Sequence, residues 1–189
     1  AQRTITVTAP PALRITEVES NGGTPGDWAE LYNPTTAAVD IAGWSFKDND
    51  NTRTFAFPAG TVVPAGGYYV VEEAAFGFGL GAADEARLFT PFGMLVDSYA
   101  WTAHAATTYG RCPTPTGAFV TTAASTKGAA NDCRVLVVVN EVESNGGVPG
   151  DWIELYNRGT TVVNLSGFVV KDNDDTRTTT LPAGTTIVA

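Results

Sequence analysis

Cations are scarce in this 189-residue chain: 11 Lys and Arg stand against 20 Asp and Glu, for a formal net charge of −9. Nucleic-acid backbones and anionic lipid surfaces both call for a basic footprint, so both are excluded as partners. Long apolar runs are missing too. The longest, Val135 to Val139, is far short of the ~18 residues that span a bilayer, so it reads as a short buried strand and membrane insertion is excluded. Histidine occurs once, as His104, with no G-x-S-x-G or Cys-His signature around it. It is expected to be a loop residue. Glu17 with Glu19 and Glu72 with Glu73 have the side chains for acid–base work but no pocket signature. The chain is therefore expected to be no enzyme.

Cysteine is limited to Cys112 and Cys133, too few for a disulfide scaffold and spaced like no zinc site. Both lie in polar, Gly/Pro/Asn-rich loop sequence, where a buried free thiol would be out of place. The expectation is a disulfide joining the last loop of the first domain to the following linker, and with it an oxidising, extracellular setting. The first residues, Ala1-Gln2, suit a mature end left by signal cleavage and suit an arbitrary start equally well.

The apolar fraction is 43%, enough for a packed core. The dominant feature is an internal repeat. Glu17 to Gly23 recurs as Glu141 to Gly147, an offset of 141 − 17 = 124 residues. Pro25 to Trp28, Glu30 to Asn33, Lys47 to Asp50 and Pro58 to Thr61 recur at the same offset. Such a period is a whole domain. The second copy runs to Ala189, and counterparts of Gly66 to Asn131 are not in it.

Short runs rich in Val, Ile, Tyr, Phe, Trp and Thr, punctuated by Gly, Pro, Asn and Asp, predict strands. They fall at 13–19, 28–33, 43–48, 53–57, 67–72, 86–90 and 95–101. No window has helical periodicity. The expected fold is all-β: an immunoglobulin-like β-sandwich, one complete domain plus the N-terminal part of a second. The boundaries read as an arm at 1–12, the sandwich at 13–131, a linker and first strand at 132–138, and the incomplete repeat at 139–189. Residues 118–132, rich in Ala, Ser and Thr, read as a tail and interdomain linker. Ala29, Leu31, Val39, Ile41 and Trp44 mark the core face. Alternation turns Trp28, Glu30 and Tyr32 the other way.

Asp27-Trp28-Ala29-Glu30-Leu31-Tyr32-Asn33-Pro34 resembles the D-W-x-E-L-Y-N-P signature of bacterial lamin-tail domains. Val39 to Trp44, Phe57 to Thr61, Pro64 to Tyr68, Leu95 to Trp101 and Tyr109 to Arg111 resemble that family's later motifs, in the same order. The resemblance implies an Ig-like sandwich without catalytic machinery, used as an accessory module of secreted or surface proteins.

Two loops carry the remaining chemistry. Asp48 and Asp50, and their counterparts Asp172 and Asp174, put several oxygens in one turn, which suits calcium or an Asp/Asn-stabilised β-turn. Arg53 and Arg177 follow directly. Arg53 is expected either to pair with Asp27 or Glu30 or to stay solvated. The Gly-rich run Ser20 to Gly26 lacks the Lys-Ser/Thr ending of a phosphate loop and reads as a flexible loop at the sandwich end.

The expected role is an extracellular module for spacing, anchoring or adhesion, with a protein or cell-surface partner. One alternative is a self-assembling surface or filament protein whose second copy is completed by strands from another chain, rather than simply cut short. The other is an accessory domain of a secreted hydrolase, a nuclease or phosphatase, lying outside this chain.

Overall fold

The structure is a computed structural model that describes residues 12–134, 136–160 and 162–189. The N-terminal arm, apart from Ala12, lies outside the described residues. The chain divides into two compact units, one reaching to Cys133 and the other starting at Arg134.

In the first unit, strands β1 (Arg14–Glu19), β2 (Trp28–Tyr32), β3 (Val39–Asp40), β4 (Ser45–Lys47), β5 (Thr54–Ala56), β6 (Val62–Val63) and β7 (Tyr68–Glu72) precede a one-turn helix α1 (Glu73–Phe76). They are followed by β8 (Asp84–Phe89), β9 (Leu95–Trp101), β10 (Tyr109–Cys112) and β11 (Ala118–Thr121). A five-stranded sheet in the order β11-β10-β1-β2-β7 faces a four-stranded sheet in the order β5-β4-β8-β9. All pairings are antiparallel. This is the expected Ig-like sandwich. α1 closes on Gly77, whose φ of 75° is the left-handed cap that glycine adopts without a Cβ clash.

The core forms where the two inner faces meet. Ile15, Val18, Ala29 and Leu31 come from the five-stranded sheet, and Phe46, Ala86 and Leu88 from the four-stranded one. Trp44, Phe57, Val63, Phe76, Leu80 and Trp101 fill the rest. Burying a large apolar side chain fully contributes roughly 1.5–3 kcal/mol, so this set is the main source of stability. Arg111 ties the two layers together. Its guanidinium bonds both oxygens of Asp97 at 3.0 and 3.1 Å, while its Nε donates to the Ile15 carbonyl at 2.9 Å.

Alternation predicts that Glu30 points away from the core face. The residue does point away from the core, yet it is fully buried. The cover comes from the stretch expected to be a linker. Residues 118–121 form β11 on the sheet edge, and the chain from Thr122 to Cys133 folds back over β1 and β2.

The second unit repeats the start of the first, with β12 (Val137–Glu143), β13 (Trp152–Asn157), β14 (Val163–Asn164), β15 (Val169–Lys171), β16 (Thr178–Thr180) and β17 (Thr186–Ile187) in three two-stranded ribbons. Side chains whose counterparts are core residues lie open here. Val142 is 59% exposed and Phe168 53%, against 0% for Val18 and 5% for Trp44. Among the described residues no helix is long and apolar enough to cross a membrane.

Candidate functional site

The densest polar cluster outside the core sits on the outer face of β1 and β2. It starts from a break in register. Ile15 pairs with Leu31 and Glu17 with Glu30, so Thr16 is an extra residue, a β-bulge. The bulge turns Thr16 and Glu17 toward the same neighbour, and the Thr16 hydroxyl donates to Glu30 Oε1 at 2.8 Å. Two carboxylates thus lie directly opposite each other on adjacent strands, both buried.

The returning chain supplies the donors. The Thr126 N–H and hydroxyl reach Glu17 at 3.1 and 2.8 Å, and the Thr108 hydroxyl donates to Glu17 as well. The Gly128 N–H donates to Glu30 Oε2 at 2.6 Å. Asn131 Nδ2 crosses the strands, donating to the carbonyls of Thr16 and Arg111 at 2.8 and 2.9 Å. Gly110 permits this approach, because a Cβ there would stand 2.7 Å from Asn131 Nδ2 and 2.5 Å from Thr122 Cγ2. Lys127 pairs with Glu72 at 2.6 Å and lies over the Trp28 ring at 5.2 Å.

Burial raises the pKa of both carboxyls, because the charged form loses its water. Glu30 is pushed up to about 7, with donation from Thr16 and Gly128 acting against that rise and the neighbouring Glu17 adding to it. Glu17 accepts from the Thr108 hydroxyl and from the N–H and hydroxyl of Thr126, which act against its own rise. A carboxyl neutral near pH 7 is what a general acid needs. Here all four oxygens of the pair are already taken by the protein's own donors, and the cluster holds the chain's return segment in place.

The other acid pairs are engaged too, except that Glu72 Oε2 is buried without a hydrogen-bond partner. Glu72 takes Lys127, and Glu73 accepts the Asp27 N–H at 2.9 Å. Glu19 accepts the Asn21 N–H at 2.7 Å and Asp27 accepts the Gly22 N–H at 2.9 Å, so the Gly-rich loop is pinned by its own flanking carboxylates. His104 is exposed and lies 3.2 Å from the Ser20 hydroxyl.

In the aspartate loops, Asp48 is buried; it accepts the Asp50 N–H at 2.8 Å and Arg53 at 3.1 Å. Asp50 accepts the N–H and hydroxyl of Thr52 at 2.8 and 2.7 Å, which hold its carboxyl below the ordinary value. Asp172 and Asp174 repeat these bonds with Asp174, Thr176 and Arg177, and Asp174 is likewise lowered. These are the self-capping turns that Asp favours. Arg53 therefore pairs with Asp48 rather than with Asp27 or Glu30, because it lies only five residues from Asp48 across the turn. Among the described residues no group of three or more His, Cys, Asp or Glu is gathered for a metal ion. Cys112 and Cys133 form the expected disulfide, with Cα atoms 5.5 Å apart.

The geometry accounts for the repeated D-W-x-E-L-Y-N run. Asp27 folds the loop, Trp28 lies under Lys127, Glu30 grips the return segment and Leu31 enters the core. Asn33, fully buried, bonds the carbonyls of Ala37 and Val63 and the N–H of Thr35. Asn157 does the same in the second unit, bonding the Val188 carbonyl and the Gly159 N–H.

A family model, the Lamin Tail Domain, matches residues 6–103 and 134–189. No curated protein matches the sequence. The family is Ig-like and non-enzymatic, and its domains generally mediate protein interactions. The first match stops before β10, β11 and the return segment, so the cover over the acid pair is contributed by residues outside it. With both copies matched over most of the chain, this protein belongs to the lamin tail domain family.

Proposed function

We propose that the chain is an extracellular, non-catalytic module of tandem lamin-tail-like domains that serves spacing, anchoring or adhesion through a protein or cell-surface partner. The observation that carries this reading is the commitment of the polar interior. The acids that would serve catalysis are instead spent on holding loops and the return segment. The Cys112–Cys133 bond adds support for an oxidising setting. The test is thiol trapping in the source cells, quenching them with a maleimide reagent before lysis. The reading expects the chain at the surface or in the medium with no free thiol. An intracellular chain carrying two reactive thiols would overturn it.

A second reading rests on the open side chains of the second unit. Val142, Ile153 and Phe168 occupy positions that are core in the first copy. Strands donated by a second copy of this chain would cover them, making assembly itself the function.

A further inference from the structure

Residues 123–132 form a closed loop clipped at its base. The Ala123 N–H bonds the Asp132 carbonyl at 3.1 Å, the Thr122 N–H bonds the Thr108 carbonyl at 3.0 Å, and Cys133 is covalently fixed to Cys112. The tip is a tight turn, with the Ala129 N–H bonding the Thr126 carbonyl at 2.8 Å and Gly128 at φ 83°. The loop contains four alanines, one lysine, one glycine and small polar residues, and no Leu, Ile, Val or aromatic side chain. Apolar burial therefore contributes little to holding it down, and its tip is held by the acid pair and by Lys127. Segments with few apolar contacts are the ones that open locally without global unfolding.

The pair is sensitive to charge. Glu17 and Glu30 are direct cross-strand neighbours, and among the described residues no Lys or Arg forms an ion pair with either. Like charges directly opposite each other on a sheet are destabilising, the more so away from water. The other titratable and charged groups around the pair are Arg14 and Glu19 on β1, Asp27 and Tyr32 on β2, Tyr68 and Glu72 on β7, and Lys127 and Asp132 in the loop. Tyr68 is raised above the ordinary phenol value, mainly by burial, and Lys127 is held by Glu72. Glu30, pushed up to about 7 by burial, changes charge near neutrality.

We propose that residues 123–132 are a pH-gated flap, closed over the Glu17–Glu30 pair in mild acid and lifting from it above neutrality while both ends stay clipped. Lifting uncovers the Trp28 ring and the two carboxylates, and no other part of the sandwich needs to move. An ionised Glu30 carboxylate regains water when the flap lifts, and that gain drives the opening.

The test is amide hydrogen exchange on the full chain at pH 5.5 and 8.5, corrected for intrinsic exchange rates. The peptide spanning 123–132 is read against strands β8 and β9 as internal reference. The flap peptide should lose protection by about tenfold or more at pH 8.5 while β8 and β9 keep theirs. In Glu30→Gln, which cannot ionise, its protection should be equal at the two pH values. Equal protection in the wild type would overturn the proposal, as would parallel loss in β8 and β9 or pH dependence that survives in Glu30→Gln. Should Glu30→Gln fail to fold, the wild-type comparison against β8 and β9 decides alone.

Discussion

Thr16 and Asn140 perform the same task 124 residues apart. Each is the extra residue of a bulge, and each donates its side chain to the glutamate on the next strand, Glu30 or Glu154. The residue type differs but the donor is kept, so the bulge has a chemical purpose in both units. Thr16→Val preserves shape and removes the donor. A buried group left without its hydrogen bond costs about 1–3 kcal/mol. The urea midpoint of the first unit should fall accordingly, while Thr16→Ser should restore most of the loss.

Stability should depend on pH through Glu30. Its carboxyl is raised in the folded state to about 7, from the ordinary 4.5. The native state therefore binds more protons than the unfolded chain between those values, and stability falls as pH rises through that window. The contribution is complete below about 4.5 and lost above about 7. In thermal melts, Glu30→Gln should match the wild type near pH 5 and exceed it at pH 8. Parallel melting curves for the two proteins across this range would contradict the assignment.

Arg111→Lys should be costly. The guanidinium makes two bonds to Asp97, bonds the carbonyls of Ile15 and Gly117, and lies 4.5 Å over the Phe119 ring. An ammonium cannot reproduce that fork. Lysine keeps the charge but leaves buried acceptors of Asp97 and Ile15 without their donors, at a cost of about 1–3 kcal/mol. A denaturant titration giving a loss below about 1 kcal/mol would mean the pair is idle, as most exposed pairs are.

The aspartate turns invite a metal test. Their carboxylates are engaged by Asp50, Thr52 and Arg53, and by the repeat counterparts. The turn account expects the same melting midpoint in EDTA and in millimolar calcium. A calcium-dependent rise would mean that Asp48, Asp50, Asp172 and Asp174 rearrange to bind the ion.

The sandwich was legible in the sequence because alternation puts Ala29 and Leu31 on one face, and because the repeat exchanges Ala29, Leu31, Val39, Ile41 and Trp44 only for apolar residues, Ile153, Leu155, Val163, Leu165 and Phe168; the bulge that brings both Ile15 and Val18 inward was not legible. The disulfide was legible from the loop setting of its cysteines. The acid cluster was not. Glu30 reads only as pointing away from the core face, since no local pattern announces that a segment 98 residues later will cover it. That segment, rich in Ala, Ser and Thr, has the composition of a linker, because what docks it is backbone N–H and hydroxyl groups rather than apolar side chains. Repeat comparison held the one available clue. Glu17 and Glu30 are both kept as Glu141 and Glu154 while Ala29 changes to Ile153.

A spacing and binding module works without polymerising. Size-exclusion chromatography with light scattering tests it most directly. A monomer of 19.7 kDa is expected. A dimer or a ladder of polymers would contradict it and make the open strands of the second unit the working surface.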